Sequence, residues 1–151
     1  MTGCGKAMRA QLAGLVLALA AWPAGAVEFR SVGEPALLFD APSSKADPRF
    51  IIARGTPVEL VVSLDKWVKV RDAGGGLLWI ERAKLAERRT VIVTGASASV
   101  LKSAEESAPV VFEAAKDVVL ELLEAAPLGW AKVRHRDGQS GFVRVSQVWG
   151  L

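Results

Sequence analysis

The feature that most constrains this chain is a self-similarity. Trp67-Val-Lys-Val-Arg71 returns as Trp130-Ala-Lys-Val-Arg134, 63 residues further on. Each copy leads through a glycine-bearing turn to a second aromatic, Trp79 or Phe142, and closes on an aliphatic residue, Leu85 or Val148, both pairs again 63 apart. Upstream, Gly33 matches Gly95 at an offset of 62, so a residue or two of loop distinguishes the copies. A fixed period of this length means one structural unit used twice. Units of about sixty residues hide only ~60% of their unfolded surface, so mutual support is expected. The linker Glu87-Arg88-Arg89-Thr90 has no Gly, Pro or Ser tract, which places the units in fixed contact.

Residues 1–26 read as a signal peptide. Lys6 and Arg9 form a positive start, Leu12 to Ala21 an apolar run too short to span a bilayer, and Ala24-Gly25-Ala26 the small-x-small pattern that places cleavage between Ala26 and Val27. The alternative is a retained N-terminal anchor. Cys4 precedes the apolar run, so it is no lipidation site. Cleavage removes this only cysteine and lowers the formal charge from +3 to +1. The exported chain then has no integral membrane segment and no disulfide, and its near-neutral balance lacks the basic footprint that phosphate backbones require. Nucleic acid is therefore not an expected partner, and the expected location is the periplasm or cell envelope.

In the first unit the apolar residues fall into five short runs: Ala36 to Phe39, Phe50 to Ala53, Val58 to Leu64, Trp67 to Val70 and Leu77 to Ile80. Pro42-Ser43-Ser44, Asp47-Pro48, Gly55-Thr56-Pro57 and Gly74-Gly75-Gly76 separate them, the punctuation of a small barrel or sandwich. In the second unit Asp137-Gly138 predicts a hairpin turn. Val110 to Ala126 is the difficult stretch, because its apolar residues recur at helical spacing. The repeat nevertheless aligns it with Phe50 to Ser63, whose Gly55-Thr56-Pro57 would break a helix. Val118 to Leu123 is accordingly expected as a strand matching Pro57 to Val62, with Lys116-Asp117 as the turn.

Period-two alternation puts Trp67, Lys69 and Arg71 on one face and Val68 and Val70 on the other. The valines face the core, as do Ala131 and Val133. Both tryptophans are thereby expected to face outward beside two cations, as a lid over the barrel or as a ligand platform.

These residues resemble the bacterial SH3-like domains in tandem form. The likeness covers residues 27–151 and rests on the turn-Trp-x-Lys-Val motif at Asp65 to Arg71 and Leu128 to Arg134, on Gly141-Phe142-Val143, on Arg88 to Val91 opening the second unit, and on the closing Val148-Trp149-Gly150-Leu151. The resemblance implies an all-β fold of two partly open barrels of about five strands each, at 27–86 and 89–151. It also implies binding of cell-wall peptide or of an envelope protein partner. The chain departs from the family pattern at Leu78-Trp79, where Gly-aromatic is usual, and at Ser97 to Leu101, where an arginine and a Gly-Pro-Ser loop are usual. It has no Tyr, and the position that grips proline-rich peptides in eukaryotic relatives holds Glu81 or Arg144, so such ligands are not implied.

No catalytic constellation is evident. The mature chain has no Cys-His pair, His135 sits at a hairpin tip, Glu105-Glu106 reads as a polar loop, and no phosphate loop opens a helix. No enzyme activity, cofactor or metal is expected. The candidate ligand-binding residues are Trp67, Lys69, Arg71 and Trp79 in the first unit, and Trp130, Lys132, Arg134 and Phe142 in the second. Two readings remain: a binding module for peptidoglycan peptide or another extended peptide, and a structural or assembly protein of the envelope.

Overall fold

Short apolar runs bounded by turn residues cannot form helices long enough to bury a face, and they pair instead. The computed structural model describes residues 25–151, so the segment expected to be a signal peptide lies outside the described residues except for Gly25 and Ala26. The first unit contains β1 (Glu28–Val32), β2 (Ala36–Phe39), β3 (Pro48–Ile52), β4 (Pro57–Ser63), β5 (Trp67–Arg71), β6 (Leu77–Glu81), a single 3₁₀ turn (Arg82–Lys84) and β7 (Leu85–Ala86). The second repeats the order as β8 (Thr90–Val93), β9 (Ser97–Leu101), β10 (Val110–Ala115), β11 (Val119–Ala126), β12 (Trp130–Arg134), β13 (Ser140–Arg144), a 3₁₀ turn (Val145–Gln147) and β14 (Val148–Trp149). Each unit is one antiparallel sheet, ordered β3-β2-β6-β5-β4-β1-β7 and β10-β9-β13-β12-β11-β8-β14. The chain is all-β, in two tandem SH3-like units.

The five apolar runs are β2 to β6. Two further strands escape the pattern. In β1, Glu28-Phe-Arg-Ser-Val32 carries charged and hydroxyl residues, and β7 is two residues long, so neither shows as an apolar run. Both are nonetheless needed to close the sheet, because β1 pairs with β4 on one side and β7 on the other.

Val110 to Ala126 is extended, as the repeat requires. Its helical periodicity loses to tertiary pairing, since β10 lies against β9 and β11 is flanked by β8 and β12. The register differs by one residue from the sequence reading. Gly55 donates its N–H to Val32 O at 2.7 Å and Asp117 donates to Val93 O at 2.9 Å. Asp117 therefore stands in the place of Gly55, and both have left-handed φ, 68° and 83° respectively. Val58 then corresponds to Leu120, both fully buried, at an offset of 62. Likewise Gly33 and Thr94 donate to the equivalent carbonyls of Lys84 and Gln147, so Thr94 is the counterpart of Gly33, and Gly95 is loop gained between β8 and β9.

Each sheet curls over its own core. In the first, Val32, Leu38, Ile52, Val58, Val68, Val70 and Ile80 pack together. In the second, Val91, Val93, Val100, Leu120, Ala131, Val133 and Val143 do so. The alternation in Trp-x-Lys-Val-Arg is obeyed, with Val68, Ala131 and Val133 fully shielded. A bulge bends the same strand in both units, between Leu60 and Val62 in β4 and between Leu122 and Glu124 in β11.

The units meet across the linker. Phe29 of β1 stands edge-on to Trp149 of β14 with ring centroids 5.0 Å apart, and the Arg89 guanidinium lies 5.6 Å from the Phe29 ring. Arg89 Nη2 also donates to Gly150 O at 2.9 Å, and Thr90 Oγ1 donates to Gly55 O at 2.6 Å. Gly150 has φ +119°, and a Cβ there would lie 2.7 Å from Thr90 O and 3.0 Å from Pro57 Cβ. Only glycine satisfies both the backbone angle and this contact.

Candidate functional site

Each repeated hairpin carries its aromatic and cationic side chains on the outer face because Val68 and Val70, or Ala131 and Val133, occupy the inner one. In the first unit, β5 and β6 pair Trp67 with Glu81, Lys69 with Trp79 and Arg71 with Leu77. The two tryptophans are thus diagonal rather than directly opposite. Phe39 joins them: it pairs in register with Trp79 across β2 and β6, and its ring meets Trp67 edge-on at 5.4 Å. Lys69 Nζ sits 5.9 Å from the Trp79 ring. Trp67 and Trp79 are both partly exposed, so their surface remains available to solvent.

Beside Trp67 runs a groove bounded by Ser44 of the β2–β3 loop, Asp65 and Lys66 of the β4–β5 turn, and Glu81 and Arg82 at the end of β6. Arg82 holds that turn, donating to Leu64 O and Asp65 O from Nε and to Leu64 O from Nη2. Arg71, by contrast, does not serve the aromatic face. Its Nη1 donates to both oxygens of Glu59, at 2.9 and 3.1 Å.

The second unit has the same hairpin and a different surface. Trp130 pairs with Arg144, whose guanidinium lies 4.2 Å from the indole centroid and is itself paired with Glu106. Trp130 is only 5% exposed. The expectation of an exposed tryptophan therefore fails in this unit. Arg144 lays its guanidinium against the indole, to whose face a cation is attracted, whereas the equivalent cross-strand residue beside the partly exposed Trp67 is Glu81, which offers no such attraction. Lys132 Nζ lies 5.9 Å from the Phe142 ring, matching Lys69 over Trp79. Leu101 occupies the place of Phe39.

Arg134 is drawn to Glu121, which accepts from it at 2.7 and 3.1 Å and also pairs with Arg88 at 2.7 Å. Hydrogen bonding from Arg88 and then Arg134 holds the Glu121 carboxyl below its usual range. At the hairpin tip, Asp137 accepts from the Gln139 backbone and side chain and is paired with His135, which together lower its pKa to about 2. Among the described residues no group of three His, Cys, Asp or Glu side chains could hold a metal ion. None of the helical segments described is long and apolar enough to cross a membrane.

Of the eight candidate residues, the structure brings Trp67, Lys69 and Trp79 into one partly exposed face, leaves Lys132 and Phe142 as a smaller pair, buries Trp130, and commits Arg71 and Arg134 to carboxylates. Phe39 is the residue that sequence reasoning missed. Its only signal is its place as the last residue of an apolar run.

Two small antiparallel units in tandem, each with a tryptophan-bearing hairpin and a closing 3₁₀ turn, define a class of compact β modules. The chain belongs to the bacterial SH3 domain family, whose model matches residues 32–87 and again 95–150. Among curated proteins none matches the chain significantly. Solved structures similar to it include NlpC2 and NlpC1 from Trichomonas vaginalis, at 13% and 15% identity and a TM-score of 0.38 each. These cover 83% of this chain and 48% and 46% of theirs. An NlpC/P60 family protein from Bacillus cereus matches at 17% identity and a TM-score of 0.38, covering 81% of this chain and 56% of that one. The chain thus spans about half the length of these proteins.

Proposed function

We propose that this protein is a non-catalytic, exported cell-wall binding module, and that the Trp67–Trp79 face with Lys69, backed by the buried ring of Phe39, receives an extended peptide of the wall. The observation that carries the reading is the contrast between the tryptophans. Trp67 is partly exposed beside a groove, and its counterpart Trp130 is buried with Arg144 against it. An exposed indole with neighbouring aromatics and a cation is a common way of holding a flat or extended ligand. Export, with cleavage after Ala26, is part of this reading. Intact mass of the protein recovered from the envelope tests that part, because a mass that includes residues 1–26 returns the anchor alternative.

The binding test is retention on purified peptidoglycan sacculi together with thermal unfolding. Trp67→Ala is expected to weaken retention by about 2 kcal/mol in a barrel that stays folded. A folded variant that binds as before removes the face from consideration, and an unfolded one assigns Trp67 to the fold.

A second reading, assembly with an envelope protein, is favoured by a different observation. The outermost strand β3 exposes Phe50 by 66% and Ile51 by 77%, next to Leu37 on β2 at 45%. An apolar strand at a sheet edge is a template for pairing with another chain. Loss of a partner from co-purification on Ile51→Lys, with sacculus retention absent in the parent protein, is the result that favours this second reading.

A further inference from the structure

A cleft of about 810 Å³ lies where the two units meet, within the size range of small-ligand sites. Its walls come from both sheets. Arg54 and Gly55 of the β3–β4 turn, Arg88 of the linker, and Arg134, His135 and Arg136 of the β12–β13 hairpin all line it. Four guanidiniums therefore line the cleft against two carboxylates, Asp117 and Glu121. The pairing among them is uneven. Glu121 is shared by Arg88 and Arg134, which fixes both cations and leaves that cluster one positive charge in excess. Arg54 and Arg136 have no ion pair or side-chain hydrogen bond among the described residues, and both are exposed.

The first unit has no such surplus at the matching position, where Glu59 is paired with Arg71 alone. The excess charge exists only because the linker adds Arg88 and the two units bring Arg54 and Arg136 to one opening. The rest of the lining includes Ala86, Val118 and Val119. A guanidinium binds a carboxylate through paired hydrogen bonds, and small aliphatic side chains next to that carboxylate would lie on the valines.

From this juxtaposition we propose that the cleft between the barrels is a second binding site, one that takes the free C-terminal carboxylate of a short peptide with small side chains through Arg54 and Arg136. It deepens the reading of the chain as a peptide binder and rests on it, yet the site is separate from the Trp67 face. Asp117, which also lines the cleft without an ion pair, offsets one of the unpaired charges.

The test is titration of the intact protein with acetyl-dialanine bearing a free carboxylate, followed by backbone amide shifts. Acetyl-dialanine amide and inorganic phosphate serve as the other arms. Saturable shifts at Gly55, Asp117 and Gly138 are expected, with the amide bound at least about tenfold more weakly. Arg54→Gln with Arg136→Gln is expected to lose about tenfold in affinity at an unchanged thermal midpoint, since neither side chain has a partner whose loss would loosen the fold. Equal binding of the amide overturns the proposal, as does phosphate displacing the peptide at equal concentration. Shifts confined to residues around Trp67 and Trp79 also overturn it, while leaving peptide binding by the aromatic face intact. Shifts in the cleft from a protein that sacculi do not retain support the cleft and remove the cell wall as the peptide's source.

Discussion

The two tryptophans of the repeat occupy one position in the fold and do different work. Trp130 is buried under Arg144, so its removal opens a cavity in the second unit. Trp67 has one side in solvent, so its removal takes away less packing. We expect Trp130→Ala to cost about 3 kcal/mol or more and Trp67→Ala about 1 kcal/mol, read from urea unfolding midpoints at constant slope. Equal losses would mean that Arg144 does not seal its indole. Alternation placed both tryptophans on the outer face, and that much was legible in the sequence. Whether an outer residue is covered depends on the residue facing it across the hairpin, and register decides that. Phe39 was illegible for the same reason, since nothing in an apolar run says that its last ring will lean on a residue 28 positions later.

At the scale of elements, the turn before β4 and β11 sets the register of each sheet. Gly55 and Asp117 both adopt left-handed backbone there, a region that Asp tolerates and a β-branched residue does not. A Cβ at Gly55 would meet only Val119 Cγ1 at 3.8 Å, so the backbone angle, rather than space, governs substitution. Gly55→Asp is expected to cost less than about 1 kcal/mol and Gly55→Val about 2 kcal/mol. Urea midpoints of the two variants decide, and a tolerated valine would contradict the assigned turn. The sequence signal for β2 to β6 was strong because each run is apolar and most of the breaks between them carry Gly, Pro or Ser. It was silent for β1 and β7, whose pairing depends on backbone hydrogen bonds and on Phe29 meeting the other unit. Helical spacing in Val110 to Ala126 pointed the wrong way, and the repeat corrected it, though one residue out of step because the left-handed position is filled by Asp rather than Gly.

For the whole molecule, the junction of Phe29, Arg89 and Trp149 should make the two units unfold together. Calorimetry is expected to show one transition in the parent protein and two in Trp149→Ala, where the edge-on ring contact is gone; two transitions in the parent would show that the junction couples nothing. Two carboxylates of the second unit add a dependence on acidity. Asp137 has a folded pKa of about 2 against an ordinary value of 3.8, so its contribution is full above the ordinary value and is lost as pH falls from there toward 2. Glu121 is lowered too, so its pairing with Arg88 and Arg134 is complete above 4.5 and declines as pH falls below that. The thermal midpoint should therefore drop on acidification below about pH 4, and Glu121→Gln with Asp137→Asn should flatten that drop. A drop that survives in this double variant would place the acid-sensitive groups elsewhere.

The guanidinium over Trp130 has a consequence for stoichiometry. Duplicating a recognition domain ordinarily multiplies attachment points, and a polymer then holds the chain by avidity far beyond the strength of either contact. Here the second copy keeps the architecture and shuts its indole, so if the aromatic face is the recognition surface proposed above, the duplicated chain would offer a valence of one there.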